Sequence, residues 1–175
     1  EASGKTTQAA LLVDALRGQG YRVRTTREPG GTDIGEDVRQ LVKARDRSES
    51  LCPEAELLLF GASRAQLMHS VILPFLYEGG IVICDRFVDS TTVYQGLARH
   101  LDLAFIERMH ALTTHDRMPD LTFVLDVDYD IGMTRLADRV EETTGGDPFE
   151  AEPESFHAAV REGFLKLAEE KPERM

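Results

Sequence analysis

The amino-acid sequence predicts a three-layer α/β domain in which a parallel β-sheet is flanked by helices. Three observations lead there. The runs Ile81-Val82-Ile83-Cys84 and Leu121-Thr122-Phe123-Val124-Leu125 are continuously apolar or β-branched rather than alternating, as in strands covered on both faces. Longer helical patterns lie between and around them, which implies βαβ units with right-handed crossovers. A Gly-Lys-Thr triplet opens the first of those helices. A length of 175 residues with 42% apolar side chains suits one domain, spanning 1–175, with a core of its own.

Taken in order, the pattern gives a helix over 6–17 stopped by Gly18-Gln19-Gly20, then a strand over 21–26. Helices over 33–43 and 53–77 precede the strand at 81–84. A helix over 102–113 leads into the strand at 121–125, and helices over 130–142 and 154–169 follow. The loosely polar stretch 141–147 separates the last two. The first residues already form a loop that a strand must feed, and residue 175 comes just after a helix, where an α/β chain usually returns to its sheet. Both termini are therefore expected to fall short of the natural ones.

Composition removes several classes of function. With 31 acidic and 20 basic residues the formal charge is −11, which does not suit a broad face for a nucleic acid polymer or an anionic membrane. No apolar run is long enough to span a bilayer. Two cysteines, Cys52 and Cys84, cannot build a disulfide scaffold and read as reduced thiols of a cytoplasmic protein. The five histidines show no i,i+4 pairing and no neighbouring cysteine, so a zinc site is not expected.

Glu1-Ala2-Ser3-Gly4-Lys5-Thr6-Thr7 matches the second half of G-x-x-x-x-G-K-[ST], the first glycine falling two positions ahead of Glu1. Small residues such as Ala2, Ser3 and Gly4 let successive backbone N–H groups curl around a triphosphate, and the helix that follows points its positive end at the anion. Lys5 is placed to reach the β and γ phosphates, and the Thr6 hydroxyl to sit on Mg2+. The competing reading is an ordinary helix start capped by Ser3. Asp85 ends a buried strand, where ligands of parallel sheets collect, and is a candidate to hold the metal; alternatively it only caps the next helix. Arg86 follows it, where ATP-hydrolysing motors carry an acid that orients water. That favours phosphoryl transfer to a bound acceptor over hydrolysis.

Lys5-Thr6-Thr7-Gln8, Arg27-Glu28-Pro29-Gly30-Gly31-Thr32, Asp85-Arg86-Phe87 with Ser90, Tyr94-Gln95-Gly96, and Pro119-Asp120-Leu121-Thr122 through Leu125-Asp126-Val127 occur here in one order. This resembles the bacterial thymidylate kinases, over nearly the whole chain. The resemblance implies a P-loop NTPase fold, transfer from ATP to dTMP with Mg2+, and a homodimer. It further implies that Phe60 stacks on thymine, Arg64 hydrogen-bonds the base edge, and Ser90, Thr91 and Gln95 line the pocket. Tyr94 would press on the sugar at C2′, Glu1 would accept from the 3′-hydroxyl, and Arg39 and Arg86 would hold the acceptor phosphate. Glu28 and Pro29 would floor that pocket, at a place suited to a cis peptide. Phe60 and Arg64 are four apart and so share a helix face; the alternatives are core packing for Phe60 and, for Arg64, a solvated surface charge or a salt bridge to neighbours near Glu56.

One departure concerns the lid, about 139–152. Many members of the family it resembles carry Asp-Arg where this chain has Asp147-Pro148, so Arg135 and Arg139 at the lid's root become candidates for the donor-side charge. Two other functions stay in view. A deoxynucleoside kinase would lack a second phosphate pocket, which Arg39 with Arg86 argues against. A nucleotide-binding module without catalysis would explain Pro148.

Overall fold

Two parallel strands, β1 (Val23–Arg27) and β2 (Ile81–Asp85), pair from Val23 opposite Ile81 to Arg27 opposite Asp85. The computed structural model describes residues 3–44, 48–140 and 148–175. Helix α1 (Lys5–Gly18) packs on both strands, and α2 (Asp33–Lys43) packs on α3 (Pro53–Leu67). A π-turn at Met68–Ile72 carries α3 into α4 (Leu73–Tyr77), so the long helix expected over 53–77 forms with a bulge in it. Beyond β2 come a short α5 (Val88–Thr91), a π-helical stretch Thr92–Ala98, α6 (Leu103–Thr114), α7 (Tyr129–Val140), a 3-10 turn Pro148–Ala151 and α8 (Glu154–Glu170).

Local chemistry fixes the ends of these helices. The Thr32 hydroxyl accepts from Gly35 N–H at 3.0 Å to start α2, and Asp33 and Glu36 place negative charge on its first turn. Asp102 does the same for α6 by accepting from Ala104 N–H at 2.9 Å. The core lies where helices meet: Leu67, Met68 and Ile72 form one cluster, Leu57, Ile106 and Met109 a second, and Val93, Tyr94, Phe156, Val160 and Leu167 a third. Leu67, Ile106 and Val93 are fully buried, each contributing roughly 1.5–3 kcal/mol of transfer free energy.

Two expectations are corrected. The segment 121–125 forms no strand: Leu121 and Phe123 are 61% and 69% exposed, and Thr122 N–H donates to the Arg174 carbonyl at 2.6 Å. A strand exists only through a neighbour that takes up its donors and acceptors. Among the described residues, β1 and β2 pair only with each other. Conversely, the sequence pattern assigns no helix over 88–98, although the capping alternative for Asp85 implies one; the helix that forms is capped at Phe87, not at Asp85. Its Ser-Thr-Thr run and Gly96 are weak helix formers, and burial of Val88 and Val93 outweighs that propensity.

Candidate active site

A cavity of about 220 Å3 opens where α1 begins and where β1 and β2 end. From the start of α1 it takes Ser3, Gly4, Lys5 and Thr6. Gly4 sits at φ +89°, a left-handed conformation that costs glycine nothing and other residues strain. The turn it makes leaves the first amides of α1 without intrahelical acceptors. The Lys5 ammonium donates to the Ser3 hydroxyl at 3.3 Å. Thr7 is exposed and does not line the cavity.

The ends of the strands supply Glu28 and Pro29 after β1, and Asp85, Arg86 and Phe87 at the end of β2. The Glu28–Pro29 peptide is cis. Gly31, at φ +78°, leaves no room for a Cβ, which would meet Thr26 Oγ1 and Leu67. Arg39 of α2 donates from Nη1 to the Pro29 carbonyl at 3.0 Å. Arg86 is held at φ +65°, and its guanidinium lies over the Tyr94 ring, 5.0 Å from the centroid. Asp85 Oδ1 is buried without a hydrogen-bond partner among the described residues.

Phe60 and Arg64 line the same cavity from α3, and Ser90, Thr91, Tyr94 and Gln95 from the segment after β2. Arg64 is 1% exposed. Its Nε donates to both Glu28 carboxylate oxygens at 3.1 and 3.0 Å, and its Nη2 to Glu28 Oε2 at 2.7 Å and to the Thr91 hydroxyl at 2.8 Å. Burial pushes the Glu28 carboxyl above the ordinary carboxylate range, and the Arg64 charge opposes this. The salt bridge expected near Glu56 as an alternative for Arg64 is thus replaced by one to Glu28. Glu28→Ala would leave a buried guanidinium unpaired, so a loss of about 3–5 kcal/mol in unfolding free energy is expected by denaturant titration.

The match to a family model described as thymidylate kinase covers residues 1–175. The chain belongs to the thymidylate kinase family. A thymidylate kinase of Geobacter sulfurreducens is 46% identical over 176 residues, covering 99% of this chain and 82% of that one. One from Acaryochloris marina is 41% identical, covering 100% and 83%. The crystal structure of thymidylate kinase from Ehrlichia chaffeensis superposes with a TM-score of 0.76 at 38% identity, covering 99% of this chain and 79% of that chain. The α/β P-loop fold class read from the sequence therefore holds. Among the described residues, no helix is long and apolar enough to cross a membrane.

Not every residue singled out from the thymidylate kinase pattern reaches the cavity. Arg135 is exposed on α7 and does not line it. Glu1, Ala2 and the side chain of Arg139 lie outside the described residues. The sequence reading missed Phe149, which lines the cavity, lies edge-on to Tyr94 at 5.5 Å and is tilted against Phe60 at 6.4 Å. Its aromatic character within the lid was the available signal. Arg99 was missed as well: it donates to Glu56 at 2.9 and 3.2 Å and to Glu152 at 3.0 Å, and its guanidinium lies over Phe149. Gln95 Nε2 donates to the same Glu56 at 2.7 Å, which through Arg99 joins the cavity wall to Glu152 at the end of the lid.

Behind Arg64 lies His110, whose pKa is lowered to about 3 by burial and by the Arg64 charge. Above pH 6.5 neither folded nor unfolded His110 carries a proton. Between about 6.5 and 3 the unfolded state takes one up and the folded state does not, so stability falls with pH across that window. The thermal midpoint is expected to drop from pH 6.5 to 4.5, and to drop less in His110→Asn.

Proposed function

We propose that this member of the thymidylate kinase family transfers the γ-phosphoryl group of ATP to the phosphate of dTMP, giving dTDP and ADP. The observation that carries this reading is one cavity shared by the start of α1 with Lys5 and by the guanidinium-bearing residues Arg39 and Arg86. The first group suits a triphosphate and the second suits a monoester phosphate, which a guanidinium grips in two-pronged fashion.

The acceptor needs no strong base. A phosphate monoester has a second pKa near 6, so at neutral pH its oxygen is already largely anionic. That oxygen attacks the γ-phosphorus, the bond from the γ-phosphorus to the bridging oxygen breaks, and ADP leaves with the electron pair. The obstacle is repulsion between two anions. Lys5 and the free amides of α1 offset it on the donor side, and Arg39 and Arg86 on the acceptor side. Arg139 at the lid's root is assigned to the donor phosphates as well.

The base pocket follows from the remaining lining residues. Phe60 offers a face for thymine, Arg64 a hydrogen for the base edge, and Thr91, Gln95 and Ser90 polar contacts. Tyr94 restricts space at C2′, and Glu1 is assigned to the 3′-hydroxyl. Asp85 Oδ1 and the Thr6 hydroxyl are hard oxygen donors of the kind Mg2+ takes, and the unpartnered state of Oδ1 fits that role. When bound, the ion would supply charge neutralisation for the donor phosphates.

A homodimer is also proposed, because the packed helices α3 and α6 leave Leu58, Phe105 and Leu112 exposed. The two cysteines are free thiols, in keeping with a cytoplasmic setting. Coupled ADP release with dTMP, dUMP, dCMP and thymidine as acceptors tests the activity. Preference for dTMP is expected. Preference for thymidine would point to a nucleoside kinase, and absence of turnover despite ATP binding to a module without catalysis.

A further inference from the structure

We propose that His110 is a positioning residue for base selection, holding Arg64 so that one guanidinium hydrogen is left for a carbonyl acceptor on the bound base. This rests on reading the cavity as a nucleotide-acceptor site. Arginine has five N–H hydrogens and no acceptor. In Arg64 the Nε hydrogen goes to Glu28, and the two on Nη2 go to Glu28 and Thr91. Nη1 lies 3.2 Å from His110 Nδ1, which uses a fourth. One hydrogen on Nη1 has no partner among the described residues, and Arg64 borders the cavity.

The donor and acceptor sequence fixes the state of the imidazole. A guanidinium cannot accept, so Nδ1 must be the bare nitrogen, and the ring proton lies on Nε2. That nitrogen is 3.1 Å from the Thr92 hydroxyl, which donates to the Val88 carbonyl at 3.3 Å. Every link from Val88 to Arg64 then has one donor and one acceptor. With Glu28, Thr91 and His110 each engaged, the plane of the guanidinium is set from three directions. A single donor left on a guanidinium that borders the cavity rewards a base that presents a carbonyl to it, and it meets an amino group without a bond. The predicted consequence is preference for a thymine-like edge over a cytosine-like one, set in part by a residue that touches neither.

Two substitutions separate this from a role in packing. His110→Asn keeps an acceptor near the place of Nδ1, whereas His110→Phe keeps the planar bulk and removes it. We expect His110→Phe to lose about tenfold in the dTMP to dCMP ratio of kcat/KM, through KM rather than kcat, the equivalent of one net hydrogen bond. His110→Asn should restore most of the ratio. A folded His110→Phe with the unsubstituted ratio overturns the proposal, as do equal losses in both variants. Should neither variant fold, the 15N shifts of the His110 ring in the unsubstituted protein decide: protonated Nε2 with bare Nδ1 supports it, and the opposite tautomer overturns it. Failure of the unsubstituted protein to phosphorylate dTMP would instead remove the acceptor reading, with the ring tautomer still judging the hydrogen-bond chain.

Discussion

Arg86→Ala is expected to lower kcat by roughly 10³ to 10⁵-fold, the range over which a guanidinium at a transferring phosphoryl group acts. Arg86 is set at the end of β2 in a left-handed conformation, and its guanidinium rests on the Tyr94 ring. On the proposed reading, alanine removes the charge that draws the acceptor anion toward the γ-phosphate and leaves the start of α1 untouched. ATP affinity should therefore change little while turnover collapses. Arg86→Lys should recover only a fraction of the rate, because an ammonium lacks the fork geometry that fixes a phosphate in two contacts. Steady-state kinetics with dTMP varied, alongside equilibrium ATP binding, checks both halves of this expectation.

Lys5→Ala is expected to lower kcat by about 10² to 10³-fold, comparable to removing one preorganised donor from a developing anion. Lys5 stands at the start of α1, beside amides that helix geometry leaves without acceptors. Those amides persist in the variant, so ATP should still bind, though more weakly. Loss of rate larger than loss of binding would place the Lys5 charge in the transition state rather than in the ground-state complex. Equal losses would make Lys5 a binding group only.

Much of this site can be read from local signals. Gly4-Lys5-Thr6 is a contiguous motif whose chemistry follows from backbone geometry, and Asp85-Arg86 follows an apolar run whose end is where sheet ligands gather. Phe60 and Arg64 share a face by helical spacing alone. The partner of Arg64 was not legible, since Glu28 lies 36 residues away and only the packing of α3 against the end of β1 brings the two together. His110, 46 residues from Arg64, carries no local sign of its position behind the guanidinium. The strand expected at 121–125 illustrates the opposite failure: an apolar run states a preference for burial, but pairing needs a neighbour that the run itself cannot specify. The helix over 88–98 was hidden because Thr and Gly disfavour helices in isolation, while Val88 and Val93 secure it by packing.

The central claim is spatial: two nucleotides meet end to end between Lys5 and Arg86. A crystal structure with dTMP and a non-hydrolysable ATP analogue tests it most directly. The account predicts an oxygen of the dTMP phosphate within about 3.5 Å of the γ-phosphorus and in line with the bridging oxygen, with Arg39 and Arg86 on the acceptor phosphate and Lys5 on the donor. A dTMP phosphate directed away from Lys5 and Arg86, with both nucleotides fully occupied, would contradict it.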